Sequence, residues 1–162
     1  MLIRLETPSD FVAIRAVEAA AFPKPAEARL VDDLRTAGDA VFSLVAVEDE
    51  NVVGHAMFSK MAAPFPALAL GPVAVLPDRQ RTGIGSLLIR DGIARSEAAG
   101  WIGIFVLGNP AYYGRFGFRV ERASAFESPY AGPHLMALAL GRGDLPTTSG
   151  RIRHAPAFGS LG

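Results

Sequence analysis

The sequence predicts an α/β domain, and three observations carry that expectation. Phe42 to Glu48 and Val52 to Lys60 are β-branched or apolar runs separated by Asp49-Glu50-Asn51, the pattern of an antiparallel hairpin. Leu68 to Leu76 is almost wholly apolar and calls for cover on both faces. The clearest helix, Gly83 to Ala99, follows it and leads into a second buried strand, Ile102 to Leu107, an order that makes the two strands parallel. With 162 residues, half of them apolar and a fifth charged, the chain is expected to fold as one domain over residues 1–162.

Each remaining element has a local cause. Thr7 can cap a helix, Pro8 suits its first turn and Asp10 favours the positive end of the dipole; Phe11, Ile14, Val17 and Ala21 then share one face. After the stiff link Phe22-Pro23-Lys24-Pro25, a second helix from about Ala26 turns Leu30, Val31 and Leu34 inward and stops at Gly38. Pro72 lies inside the apolar strand and has no N–H for the ladder, so pairing should open or bulge there. In the long helix Ile84, Leu87, Leu88 and Ile93 oppose Arg90, Asp91, Arg95 and Glu97. Ala111 to Phe116 reads as a short helix, and Phe118 to Val120 and Leu135 to Leu140 as strands. A turn-rich segment, Gly141 to Gly150, precedes a last strand at Arg151 to His154.

Composition excludes several function classes. Sixteen basic residues balance sixteen acidic ones, which leaves no field of one sign to gather nucleic acid or an anionic membrane. Zero cysteines exclude disulfides, thiolate metal sites and a cysteine nucleophile, and three scattered histidines argue against a structural metal. The amino terminus carries charges where a signal peptide needs its apolar core. The most apolar stretch, Met61 to Pro77, is broken by four prolines and falls short of a membrane span. The expected location is the cytoplasm.

The informative segment runs from Val73 to Leu88. A buried strand passes through a basic loop into a helix whose first turn carries two glycines, which aims unpaired N–H groups and the positive dipole end at one point. That point suits phosphate, with Arg79 and Arg81 adding charge; small residues that merely let a helix start close to a sheet would look the same. The dinucleotide fingerprint fails, because Leu88 stands where its third small residue belongs and no acid ends the strand Phe105-Val106-Leu107. The P-loop lysine and hydroxyl pair are absent as well.

Gln80-Arg81-Thr82-Gly83-Ile84-Gly85 resembles the coenzyme A segment of the GNAT superfamily of N-acetyltransferases: Gln or Arg, two residues, Gly, one residue, then Gly or Ala. Val75-Leu76-Pro77 before it and Leu87-Leu88 after it match too, and the element order agrees from Leu2 to about Leu140. Tyr112-Tyr113-Gly114-Arg115-Phe116-Gly117-Phe118 is similar to a Tyr-Tyr-x-x-Phe-Gly-Phe run in a small bacterial branch. The resemblance implies a mixed, mostly antiparallel sheet of six or seven strands flanked by helices, whose central parallel strands splay at Pro72. It implies acetyl-CoA as co-substrate and no metal. The pyrophosphate would lie on the N–H groups of Arg81 to Gly85 and the pantetheine arm would pair with the backbone of Val73 and Val75, in a cofactor site made of Val73, Ala74, Val75, Gln80, Arg81, Thr82, Gly83, Ile84, Gly85 and Ser86. Tyr113, four residues before Gly117, would protonate the departing thiolate, a step open to a phenol of pKa about 10; Tyr112 is the lesser candidate and a cofactor contact. Asn109 would set its amide against the arm, or is an ordinary turn residue beside Pro110.

The general base is less legible. Leu68 to Leu76 holds no acid, and His55, which alternation places on the face of Val53 and Met57, competes with a water relay; Glu48, Glu127 and His134 are weaker choices. The acceptor, a small-molecule or peptide amine, is expected to meet Phe22 to Ala28 and Ser124 to His134, and both a monomer and a homodimer stay open. The rival readings are a GNAT-fold module that binds or senses acyl-CoA without turnover and, more distantly, another class of nucleotide-binding domain.

Overall fold

A computed structural model of the protein describes residues 1–141 and 143–161. Its strands are β1 (Leu2–Leu5), β2 (Ala40–Glu48), β3 (Asn51–Met61), β4 (Ala67–Val75), β5 (Gly103–Leu107), β6 (Phe126–Glu127), β7 (Leu135–Ala139) and β8 (Gly150–Arg151). Its helices are α1 (Phe11–Ala21), α2 (Ala26–Thr36), α3 (Ile84–Ala98), α4 (Pro110–Tyr113) and α5 (Val120–Ala123). Six strands form one sheet in the order β1-β2-β3-β4-β5-β7, antiparallel except where β4 meets β5. The expected mixed, mostly antiparallel architecture is what forms.

Alternation along the central strands builds two cores. Val45, Met57 and Ala69 turn to α1 and α2, where they meet Ile14, Leu30, Val31 and Leu34. Their neighbours Leu44, Ala56, Phe58 and Leu68 turn the other way, under Ile84, Leu88 and Ile89 of α3. At closest approach Gly92 rests on the Phe58 ring, and a Cβ there would come within 2.1 Å of it. The β2–β3 hairpin closes on two residues, Asp49 and Glu50, both with positive φ (49° and 67°), a turn whose twist matches that of the strands.

Pro72 has the expected effect. β4 pairs with β5 only from Ala67 to Leu70, and beyond Gly71-Pro72 the parallel strands part. β4 nevertheless keeps β3 as partner from Val73 to Val75, after a register shift opposite Ala56 and Phe58. One strand is therefore anchored on one side and open on the other.

Several local expectations are corrected. Asp10 does open the first helix, but through a 3-10 turn, Pro8–Asp10, and its carboxylate is bound by Arg4 at 2.7 Å. Glu18, on the face assigned to apolar residues, is completely buried. Phe118 to Val120 is not a strand: Arg119 makes a single bridge to Ala137, and the chain turns into α5. Arg151 to His154 reduces to β8, paired with β6, plus an Arg153 bridge to Ala62. Val53 does not share a face with His55, because a bulge opposite Ala46 and Val47 sends it to the α3 core while His55 and Met57 stay on the other side. Arg142, in the expected turn-rich segment, lies outside the described residues. Among the described residues no helix is long and apolar enough to cross a membrane.

Candidate active site

Past β4 the chain makes a 3-10 turn, Pro77–Arg79, and then places Arg81 (φ +64°) and Gly83 (φ +91°) in the left-handed region. Glycine takes that conformation freely and Arg81 does not, so strain is held at this loop. Gly83 caps α3, and the first bond onto it comes from the Leu87 N–H at 3.1 Å. The amides of Ile84, Gly85 and Ser86 are left without helical partners at the positive end of the dipole.

A cavity of about 490 Å³ opens onto them. Gln80, Arg81, Gly83, Ile84, Gly85 and Ser86 line it from the loop and α3, Val73 and Val75 from β4, and Tyr112 and Tyr113 from α4. The structure thus gathers most of the residues expected to hold the cofactor. It also adds Arg115, whose guanidinium lies over the Tyr112 ring at 4.5 Å and donates to Ser86 Oγ at 3.2 Å. Arg79 reaches the cavity already committed to Glu48 (2.8 Å) and Asp78 (3.2 Å). Among the described residues Arg81 and Arg115 have no acidic partner, so theirs is the unopposed charge. Gly85 matters by its size, because a Cβ there would stand 2.9 Å from the Tyr112 hydroxyl.

The open side of β4 faces the same space. Leu76 N–H donates to Val53 O at 2.9 Å, so alternation turns the amide of Ala74 toward β3 and those of Val73 and Val75 toward the cleft. Gln80 Nε2 donates to Val75 O at 3.1 Å from that side.

A second cavity, about 270 Å³, lies between the parted strands, α2 and the carboxy-terminal segment. Val73 and Tyr113 line both cavities. Tyr113 is held edge-on by Tyr112 (5.0 Å between centroids) and Phe118 (5.9 Å), and its ring occupies the space a side chain at Gly108 would need. Burial, with Tyr112 adding to it, pushes the Tyr113 phenol up to about 12, so it stays protonated at any ordinary pH.

Four expected site residues stand apart. Ala74 is buried with its amide on β3. Thr82 is exposed and closes its own loop by donating to Arg79 O at 2.5 Å. Asn109 caps α4, its Oδ1 accepting from Ala111 N–H at 2.9 Å. His55 is completely buried and lines neither cavity. Its Nδ1 is 2.7 Å from Glu18 Oε2 and its Nε2 2.8 Å from Ser43 Oγ. Ser43 donates its single hydroxyl proton to Glu6, so Nε2–H must donate to Ser43, and one proton lies between Nδ1 and Glu18. Burial raises the Glu18 carboxyl despite that contact. Of the weaker base candidates, Glu48 is bound to Arg79, Glu127 is exposed beside Arg151, and His134 is exposed.

Sequence reasoning missed Arg115 and His154. The i, i+3 step from Tyr112 could have found Arg115, whereas His154 reaches the second cavity by a long-range contact that carries no local signal.

The comparisons with known proteins agree with this geometry. The profile described as "Acetyltransferase (GNAT) family" matches residues 11–118. Two curated relatives from Escherichia coli K12 are similar: the uncharacterized N-acetyltransferase YhbS, 36% identical over 74% of each chain, and YjhQ, 37% identical over 77% of this chain and 74% of its own. Among solved structures, the E. coli YhbS N-acetyltransferase in complex with CoA superposes with a TM-score of 0.93 at 29% identity, covering 99% of this chain and 93% of its own. A Brucella melitensis GNAT family acetyltransferase in complex with acetyl-CoA gives 0.82 at 39% identity, over 97% of each. A profile match across most of the chain, and relatives above 30% identity over about three quarters of it, make this protein a member of the GNAT acetyltransferase family.

Proposed function

We propose that the whole chain works as one N-acetyltransferase domain that moves an acetyl group from acetyl-CoA to an amine. The observation that carries this reading is that Val73 and Tyr113 line both cavities, so a donor in one and an acceptor in the other would meet beside a phenol. The residues present fit the donor: amides at the start of α3 and the cations Arg81 and Arg115 suit a pyrophosphate, and the outward amides of Val73 and Val75 suit an arm that pairs like an added strand. Acetyl-CoA supplies an activated acyl group as a thioester.

The chain's own part is positioning and proton management. Val73 sets the thioester beside the parted strands, and Tyr113 donates its hydroxyl proton to the sulfur as the C–S bond breaks and the C–N bond forms. Burial raises the proton affinity of a thiolate as it does that of the phenol, so donor and acceptor stay matched. Water takes the proton lost by the amine, since His55 is closed off by Ser43 and Glu18. Thiol release from acetyl-CoA across an amine panel tests the reading. Binding of acetyl-CoA with no release for any amine would make the protein a sensor instead.

A further inference from the structure

The second cavity carries a chemistry that nothing so far accounts for. Its walls include Phe22, Leu30, Leu70 and Phe158, and Glu27, at the start of α2, brings a carboxylate to it. The imidazole of His154 also faces it, wedged edge-on between Tyr130 (4.9 Å between centroids) and Phe158 (5.0 Å). Tyr130 is fixed in turn by donating its hydroxyl to Phe158 O at 3.3 Å. His154 Nδ1 is enclosed with no hydrogen-bond partner. Buried polar groups in native proteins are nearly always satisfied, and since Nδ1 is sealed off, Nε2, which has neither full enclosure nor a hydrogen-bond partner, is the nitrogen that an occupant can reach. Burial holds this imidazole down at about 4, so it is neutral at working pH and does not repel a cation. The carboxy-terminal 3-10 segment, Pro156–Leu161, packs on α2 and contributes Phe158 and Leu161 to the cavity wall.

We propose that this cavity seats a primary amine carried on a compact apolar body, with Glu27 drawing in the ammonium and His154 acting as a positioning residue that hydrogen-bonds the acceptor. The inference deepens the acetyltransferase reading and rests on it. An apolar body of ring size fits about 270 Å³, a volume at the small end of ligand pockets. A peptide backbone would leave its amides unpaired against Phe22, Leu30, Leu70 and Phe158. One carboxylate suits one ammonium, and the neutral ring adds direction without adding charge.

The test uses 2-phenylethylamine, ethanolamine and 2-phenylethanol as probes on the full chain saturated with CoA, for binding, or acetyl-CoA, for turnover. 2-Phenylethylamine should bind more tightly than either other probe by about tenfold, because ethanolamine lacks the apolar body and phenylethanol the charge. His154→Phe keeps the ring and its edge contacts and removes only the polar atoms. It should raise KM for 2-phenylethylamine about tenfold while leaving kcat and the affinity for CoA unchanged, with part of the loss recovered in His154→Gln. Glu27→Gln should weaken 2-phenylethylamine and leave phenylethanol as it was. Binding of 2-phenylethylamine without thiol release would sink the catalytic reading and leave this site standing. An unchanged KM in a folded His154→Phe, or ethanolamine outperforming 2-phenylethylamine, would overturn the proposal.

Discussion

In the proposed mechanism the chemistry turns on Tyr113, and its surroundings fix what substitution should do. Phenylalanine preserves the contacts with Tyr112 and Phe118 and removes only the proton, so Tyr113→Phe should lower kcat roughly 100-fold with acetyl-CoA affinity unchanged in calorimetry. Because burial pushes the phenol up to about 12, no loss of activity from its ionisation is expected below roughly pH 11, and the ascending limb of the profile should follow the pKa of the amine used. The same limb should survive His55→Gln, whose cost is to folding: removing one partner of the buried Glu18–His55 pair should destabilise by about 3–5 kcal/mol in urea unfolding. At the other cavity, Arg115→Ala should weaken CoA roughly tenfold, and the loss should shrink at high salt. Much of this cavity was legible in the sequence because its lining is local: most of Gln80 to Ser86, consecutive in the chain, face the same space. His55 was misleading for the opposite reason. Alternation gave its strand, but Glu18 and Ser43, which enclose it, come from elements 37 and 12 residues away.

At the scale of elements, β4 and α3 do most of the positioning, and both depend on breaks in regularity. Pro72 ends the pairing with β5 while the bond from Leu76 to Val53 keeps β4 on β3, so the strand offers Val73 and Val75 to a ligand without leaving the sheet. In α3, Gly92 lets the helix lie directly on Phe58, a completely buried ring. Alanine there would gain about 1 kcal/mol of helix propensity and force a methyl into the ring, an overpacking that typically costs about 1–3 kcal/mol. Since the ring is enclosed by the sheet, Gly92→Ala should be net destabilising; a raised Tm would show that Phe58 can move aside. Elements with a strong periodic pattern were legible to within about two residues, as in Ile84–Ala98 and Asn51–Met61. Those that failed are short and are decided by distant partners: Arg119 pairs with Ala137 only once β7 is in place, and β8 exists because β6 lies beside it.

Across the whole molecule, two acid-sensitive groups, Asp10 near the start of the chain and His154 near its end, act in separate pH windows. Arg4 on β1 holds Asp10 before α1, chiefly through its hydrogen bond, and lowers that carboxyl to about 2 from an ordinary 3.8. The unfolded chain therefore binds the Asp10 proton more readily. The contact contributes its full stability above about pH 4, on the order of 2 kcal/mol, and loses it as pH falls through about 2. His154 in the carboxy-terminal segment is lowered by burial from 6.5 to about 4, so here the unfolded chain takes up the proton first. Stability should be untouched above about pH 6.5 and fall between there and about pH 4, by at most about 3 kcal/mol. Glu18, raised by burial, works in the opposite direction, because the folded chain keeps its proton to higher pH. The clean measurement is a difference: urea unfolding of wild type and His154→Phe at pH 7, 5 and 4. The variant cannot be protonated at residue 154, so its advantage over wild type should grow from pH 7 to pH 4, with the Asp10 limb below pH 4 unchanged in both. Parallel curves for the two proteins over that range would mean that His154 finds a proton or a partner in the folded state, and the neutral ring assigned to the acceptor cavity would go with it.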